Sequence, residues 1–266
     1  MTCWLGGVGF NNVTMSEAVD AIVTMARKSE KPCLICTANI DHLATMQGDA
    51  DFRQIYRDAD FVVADGMPLV WLSQLAGTPL KERVTGSDLF WALGRASHEN
   101  GLRLFLLGGL PTSAEKAAEN IYHRFPNAQI CGTYCPPHGT LNDPEEDARI
   151  RRIIAEAQPD VLLVGLGSPK QEKWISAHRE DLHIPVSIGV GASFDMAAGM
   201  VMRAPTWIRQ MGMEWMFRLI QEPRRLAHRY LGRDLPYLLR LVALTVRFRW
   251  QRQGKARDEV RPAAGS

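Results

Sequence analysis

The sequence predicts an α/β fold, a mostly parallel, Rossmann-like sheet flanked by helices, with a helical, basic C-terminal appendage. Three observations predict it. Short apolar runs alternate with segments of helical apolar spacing over roughly residues 16–191. Several of those runs end in glycine or in a small polar residue. Beyond about residue 200 the text becomes rich in arginine and aromatic residues, keeps helical spacing and shows no strand pattern. The chain of 266 residues suits one large domain plus an appendage, here an α/β domain over 1–200 and a helical segment over 201–266.

The elements follow in order. SEAVDAIVTMARK (16–28) spaces its apolar residues as a helix behind Ser16 as cap, and PCLICTAN (32–39) reads as a strand. HLATMQGDADFRQIYRDAD reads as helical turns and DFVVADG (60–66) as a strand. SDLFWALGRASHENG reads as a helix opening on Ser87 and closing on Gly101. LRLFLLGG is a strand, SAEKAAENIYHRF a helix and AQICGTYCPP a weaker strand. DPEEDARIRRIIAEAQ is a helix capped by Asp143, with Pro144 at its first position. DVLLVGLG, PKQEKWISAHRED and PVSIGVG give strand, helix and strand. Apolar strands separated by helices of this length predict parallel pairing with both faces covered. The last dozen residues, KARDEVRPAAGS, read as frayed.

Composition narrows the function. No run approaches the ~20 apolar residues needed to span a bilayer. MTCWLGGVGFNNV has no basic region ahead of an apolar core, so a cytoplasmic location is expected. Five cysteines include the pairs Cys33/Cys36 and Cys131/Cys135. Their spacing fits no established zinc pattern well, and Cys33 and Cys36 fall inside a strand, where cysteine acts as a small hydrophobe. The seven histidines offer no HxxxH pair, so no metal site is assigned. Charge is uneven. Residues 201–266 hold 14 Lys+Arg against 5 Asp+Glu, a net of +9, and the first 200 hold 17 against 24, a net of −7. A basic tail on an acidic body points to an anionic partner surface.

Ligands of open parallel sheets bind beyond the carboxyl ends of the strands. Those ends carry Thr37, Asn39, Asp65-Gly66, Gly108-Gly109, Gly165-Leu166-Gly167 and Gly189-Val190-Gly191. The glycines allow a ligand close to the backbone. Two passages from strand through glycine loop to helix, LFLLGGLPTSAEKA and LLVGLGSPKQEKW, offer helix N-termini to phosphate. Neither is a complete GxGxxG or P-loop, and an ordinary tight turn explains either one alone. Asp65 is the acid/base candidate, with a turn or cap aspartate as the plain alternative. Arg83 could neutralise phosphate or make a minor surface ion pair. Asp49-Ala50-Asp51 and Asp58-Ala59-Asp60 spell D-x-D, but both lie in helical text, where capping and solvated faces are the expected roles.

Together TANIDH (37–42), ADGMPLV (64–70), RVTGSDL (83–89), LGG (107–109), GLGSPKQEKWI (165–175), GVGASFDMAAG (189–199) and RAPTWIRQMGMEWMFRLIQEPRRLAHRY (203–230) resemble the WecG/TagA/CpsF family of bacterial glycosyltransferases over nearly the whole chain. The resemblance implies transfer of a sugar from a UDP-sugar to a polyprenyl-diphosphate-linked saccharide at the inner membrane face, with inversion and without a metal or other cofactor. It implies N-acetylmannosamine, its uronic acid, or glucose as the sugar, and Asp65 as general base. Thr37, Asn39, Gly66, Arg83 and Gln171 fall at donor and acceptor positions, and Asp195 in the nucleotide pocket. Gly165 and Gly167 would let their loop approach the nucleotide, Gly108, Gly109 and Gly191 are further substrate-binding candidates, and Lys170 would either add charge there or point into solvent. Arg218, Arg225 and Arg229 would meet lipid diphosphate or membrane. Where the family often has Arg-Arg-Tyr, this chain has His228-Arg229-Tyr230.

The chemistry agrees with these residues. A carboxylate that takes the proton of an attacking hydroxyl contributes ~10²–10⁴-fold, and amides and arginines can stabilise a departing diphosphate. The basic, aromatic tail suits an anionic leaflet, as a peripheral protein on the inner face of the membrane, and also suits helix packing or a homo-oligomer interface. Three other readings remain at this level: a nucleotide-dependent oxidoreductase, a nucleic-acid-binding tail, and a non-catalytic membrane adaptor. The resemblance favours none of them, and no nucleic acid is expected as partner.

Overall fold

The computed structural model describes residues 2–259, with side chains for all of these except Arg225 and residues 250–259. Most of the expected frayed end, 255–266, lies outside the described residues or side chains.

Six parallel strands form the centre: β3 (Cys33–Ala38), β4 (Phe61–Ala64), β5 (Arg103–Gly108), β6 (Gln129–Tyr134), β7 (Val161–Gly165) and β8 (Val186–Gly189), in the order β4-β3-β8-β7-β5-β6. Inner strands are buried on both faces, as β3 is along its whole length, which explains their unbroken apolar text. β6 is an edge strand and mostly half-buried, hence its weaker pattern. Cys33 and Cys36 pack into the cores on opposite faces of the sheet, because side chains alternate along a strand. Among the described residues all five cysteines are free.

Helices cover both faces. α1 (Met15–Lys28), α5 (Gly86–Asn100), α6 (Ser113–Arg124) and α9 (Ser193–Ala197) enclose one core. α2 (Ile40–Thr45), α3 (Ala50–Asp58), α4 (Met67–Ala76), α7 (Pro144–Ala157) and α8 (Lys170–Leu182) enclose the other. Two caps differ from expectation. Thr14, not Ser16, caps α1, because Thr14 and Glu17 form a reciprocal capping box. Thr85, not Ser87, caps α5, its hydroxyl accepting the Asp88 N–H at 3.1 Å. Asp143, Pro144 and Gly101 take the expected end positions. In the first D-x-D, Asp49 caps α3. In the second, Asp60 accepts the Leu34 N–H at 2.9 Å.

A hairpin precedes this sheet and had no counterpart in the sequence reading. β1 (Thr2–Leu5) and β2 (Val8–Asn11) pair antiparallel around Gly6-Gly7, both with positive φ. Gly-Gly between two short runs is the matching turn signal.

The C-terminal segment folds onto the rim of the α/β body. α10 (Thr206–Gln210), α11 (Glu214–Gln221) and α12 (Pro223–Arg229) lead through a π-helical turn (Tyr230–Asp234) into α13 (Leu235–Glu259). Leu226 and Leu241 are buried at 1 % and 7 % exposure, each worth about 1.5–3 kcal/mol of apolar burial. α13 lies along α4 and against the hairpin, where a Cβ at Gly6 would sit 3.1 Å from the Tyr237 hydroxyl. No described helix is long and apolar enough to cross a membrane.

Candidate active site

The chain leaves β3 for α2 on one face of the sheet and leaves β8, its neighbour, for α9 on the other. The crevice between such divergent strand ends is the natural ligand position of an open α/β sheet. A cavity of about 370 Å³ opens there. Its floor includes Thr37 and Asn39 after β3, Asp65 and Gly66 after β4, Gln171 on α8, and Gly191 after β8. Its roof is C-terminal and includes Trp215, Arg218, Arg229, Tyr230 and Asp234. The π-helical turn brings Tyr230 and Asp234 to the cavity together; such turns often occur at functional sites.

Asp65 stands at the end of β4, where its Oδ2 accepts the Gly86 N–H at 3.2 Å. Burial pushes its pKa up to about 6, and Glu214 adds to that; the Gly86 bond and the charges of Arg83 and Arg218 oppose it. The other cavity carboxylates are tied to arginines. Asp41 meets Arg229 and Arg233, Asp234 meets Arg233, and Glu214 meets Arg83 at 3.4 Å and Arg203 at 3.7 Å. Among the described residues Asp65 is the cavity carboxylate without an ion pair. Apart from the Oδ2 bond to Gly86, its lone pairs are therefore not engaged by a cation.

Arg83, Arg218 and Arg229 all line the cavity. The buried Nε atoms of Arg218 and Arg229 have no hydrogen-bond partner among the described residues. Donors left bare in this way suit an anionic ligand. His42, at the start of α2, lines the same space. Burial, then the charge of Arg229, lowers its pKa to about 3, and its Nδ1 lies 2.6 Å from the Tyr56 hydroxyl. It is neutral near pH 7 and carries no proton charge into the site.

The expected rim residues separate into two groups. Thr37, Asn39, Asp65, Gly66, Arg83, Gln171, Gly191, Arg218 and Arg229 come together at the cavity. Gly108, Gly109, Gly165, Gly167, Lys170 and Asp195 do not line it. A Cβ at Gly108 would lie 2.8 Å from the Gly165 carbonyl, and one at Gly165 2.8 Å from the Gly191 carbonyl. Close strand-end packing already requires both glycines. Gly167 and Gly191 face open space, with nothing within 4 Å of an added Cβ. Asp195 accepts the Leu110 N–H at 2.8 Å and ties α9 to the loop after β5. Lys170 is exposed. The Arg225 side chain lies outside the described residues. The sequence reading missed His42, Asp41, Trp71, Glu214 and Asp234. The first two stand within TANIDH, but their spacing says nothing about a roof 190 residues later in the chain.

A family model for glycosyl transferases of the WecG/TagA/CpsF type matches residues 3–253. The chain belongs to the WecG/TagA/CpsF family of glycosyl transferases. Proteins of three Staphylococcus aureus strains, MW2, NCTC 8325 / PS 47 and COL, are each 33 % identical to it over 224 residues. These matches cover 83 % of this chain and 85 % of theirs. Each of these relatives is named N-acetylglucosaminyldiphosphoundecaprenol N-acetyl-beta-D-mannosaminyltransferase. Membership in the family decides for a sugar transferase over the oxidoreductase and adaptor readings. The cavity at the strand ends is thus the candidate transfer site of a WecG/TagA/CpsF enzyme.

Proposed function

We propose that this protein moves N-acetylmannosamine from a UDP-sugar to an N-acetylglucosamine carried on a polyprenyl diphosphate, with inversion at the anomeric carbon. The observation that carries the reading is Asp65, a half-buried carboxylate without an ion pair and with a raised pKa in an arginine-lined cavity. Family membership and the activity named for the Staphylococcus relatives give the substrate class.

In this reading the acceptor hydroxyl attacks the anomeric carbon while its proton passes to an Asp65 oxygen. A new C–O bond forms as the bond from that carbon to the nucleotide diphosphate breaks, and the electron pair leaves on the diphosphate. A single displacement of this kind inverts the centre. A pKa near 6 suits the base, since it is ionised at neutral pH yet basic enough to accept a proton. Arg218 and Arg83 are placed to offset the charge of the leaving group or of the acceptor diphosphate. With this charge supplied by guanidinium groups, transfer proceeds without a divalent cation.

The surface around the C-terminal helices supports a membrane-facing site. Trp207, Trp215 and Ile220 are 61 %, 43 % and 73 % exposed, and Leu231 and Leu239 are also exposed. Exposed arginines 224, 233 and 240 stand among them. Apolar and basic side chains mixed in this way bind the headgroup region of an anionic leaflet, where the lipid acceptor would reside.

The deciding experiment incubates purified protein with UDP-N-acetylmannosamine and a polyprenyl-diphosphate N-acetylglucosamine, with and without EDTA. We expect UDP release and a disaccharide lipid with the new linkage inverted, unaffected by EDTA. A retained anomeric configuration, or dependence on added metal, would overturn the mechanism.

A further inference from the structure

Gln171 and Glu172 are adjacent at the start of α8, and each is 1 % exposed. Glu172 Oε1 accepts a hydrogen bond from Gln171 Nε2 at 2.7 Å, and Gln171 Oε1 accepts the Gly191 N–H at 3.0 Å. These neighbours leave the Gln171 amide one orientation. A backbone N–H can only donate and must meet the amide oxygen; a carboxylate can only accept and must meet the amide nitrogen. Turning the amide over would set donor against donor and acceptor against acceptor. The second hydrogen on Nε2 remains for another partner.

The pair lies directly against β8. A Cβ at Gly189 would come within 2.6 Å of Gln171 Nε2 and 3.1 Å of Glu172 Oε1. The Gly189 carbonyl on the same strand accepts the Thr37 hydroxyl at 2.9 Å. Thr37, Gln171 and Gly191 all line the cavity, and Glu172 does not. Glu172 stands behind the floor.

Glu172 is poorly suited to a purely structural role. Its Oε2 is buried with no hydrogen-bond partner among the described residues. Burial pushes the pKa of this carboxyl up, against the opposing pull of Gln171, of its own backbone N–H and of the Ser168 hydroxyl, which is near enough to act on the carboxyl but makes no hydrogen bond to it. An unpartnered buried oxygen costs stability, and an apolar side chain of similar length would avoid that cost. What an apolar side chain would lose is the acceptor that orients Gln171.

We propose that Glu172 is a positioning residue of the transfer site: by fixing the Gln171 amide it anchors the Gly191 N–H and keeps one Nε2 hydrogen free for the bound sugar nucleotide. The proposal rests on the transfer reading above for its substrate, and on the Gln171–Gly191 geometry for its mechanism.

Glu172→Met, Glu172→Gln and Gly189→Ala test it. Glu172→Met removes the acceptor at similar length. Glu172→Gln keeps an oxygen that can accept from Gln171, and Gly189→Ala displaces the pair without removing the carboxyl. For Glu172→Met we expect kcat/KM to fall at least tenfold, mainly through the donor KM, while Tm stays level or rises. Glu172→Gln should stay within threefold of wild type, and Gly189→Ala should lose kcat/KM as Glu172→Met does, with a lower Tm because the added Cβ overpacks the strand. Hydrogen exchange at the Gly191 amide reads the anchoring directly. It should quicken at least tenfold in Glu172→Met and stay unchanged in Glu172→Gln. Wild-type kinetics in Glu172→Met, equal impairment of both Glu172 variants, a Tm that falls with activity in Glu172→Met, or unaltered Gly191 exchange in Glu172→Met would each overturn the role. If wild-type protein transfers no sugar, the transfer reading fails by itself, and exchange at Gly191 then decides whether Glu172 anchors the amide.

Discussion

The Asp65 carboxylate accepts the Gly86 N–H at 3.2 Å, so the residue that follows strand β4 meets the first residue of helix α5. That N–H has no partner within its own helix. The bond orients the carboxyl but leaves one oxygen uncommitted. Asp65→Asn preserves an acceptor for Gly86 and removes the proposed base. We expect kcat to fall at least ~100-fold, with nucleotide affinity changed little, as calorimetry with UDP would show.

The same substitution should stabilise the fold at neutral pH. With a folded pKa raised to about 6, the native protein holds this proton more tightly than the unfolded chain. Below the ordinary carboxylate range both states are protonated and nothing is lost. Above about 6 the native state bears the full cost of the buried charge, roughly 3 kcal/mol as an upper figure. Denaturation of Asp65→Asn and wild type at pH 8 and at pH 4 should therefore show a gain at pH 8 that shrinks toward pH 4. A gain that is equal at both values would mean that Asp65 does not titrate as stated.

The rate should follow the same proton in the opposite sense. With Asp65 as the proposed base, transfer would need the ionised carboxylate, so kcat/KM should rise as pH increases through about 6. Arg83 lowers the Asp65 pKa and Glu214 raises it. Arg83→Met removes one influence and frees the other, so the acid limb should move to higher pH. Glu214→Gln should move it lower. The pH profiles of the two variants check the assignment independently of their absolute rates.

Arg218 presents a buried Nε without a partner to the cavity. A hydrogen bond from a charged donor is worth about 1.5–3 kcal/mol. Arg218→Gln should weaken binding of the diphosphate-bearing ligand that it meets by tenfold or more. Separate KM values for donor and lipid acceptor would show which one that is, and unchanged values for both would remove Arg218 from the site.

Asp88 on α5 holds the roof in place. It lies 2.7 Å from Arg203, 3.4 Å from Arg209 and 4.0 Å from Arg83. Although burial opposes it, the Asp88 pKa is lowered by the Arg203 charge, the Thr85 bond and Arg209. Its contribution is present above the ordinary carboxylate pKa and is lost as pH falls through the depressed value. The side chain is 32 % exposed, so screening reduces the gain. We expect Asp88→Asn to speed proteolytic cleavage near residues 200–205, and added salt to have the same effect on wild type.

Trp207 and Ile220 provide a cleaner test of membrane binding than truncation near residue 200. Truncation would also remove Leu226 and Leu241, which are buried, and so expose α4 and the hairpin. Trp207→Ala with Ile220→Ala changes side chains that are 61 % and 73 % exposed and do not line the cavity. At about 1.5–3 kcal/mol for each large apolar side chain taken out of water, flotation with anionic liposomes should fall tenfold or more, with far-UV circular dichroism unchanged. Undiminished flotation would move the contact surface elsewhere.

The sequence by itself determined the layered α/β body, because strands buried on both faces must be continuously apolar and their helices must carry a periodic apolar stripe. It also placed Thr37, Asn39, Asp65 and Gly191 on one rim, since all stand just past strand ends that run in the same direction. It did not distinguish Gly191, which lines the cavity, from Gly108 and Gly165, which pack against neighbouring strand ends, because glycine serves both needs and register lies outside a one-dimensional pattern. Only the tertiary structure decided which charges are spent. Asp41, Asp234 and Glu214 meet arginines distant in sequence or on the same roof, while Asp65 does not. Pairing and burial are properties of three-dimensional neighbourhood, and they raise the Asp65 pKa and leave Arg218 bare.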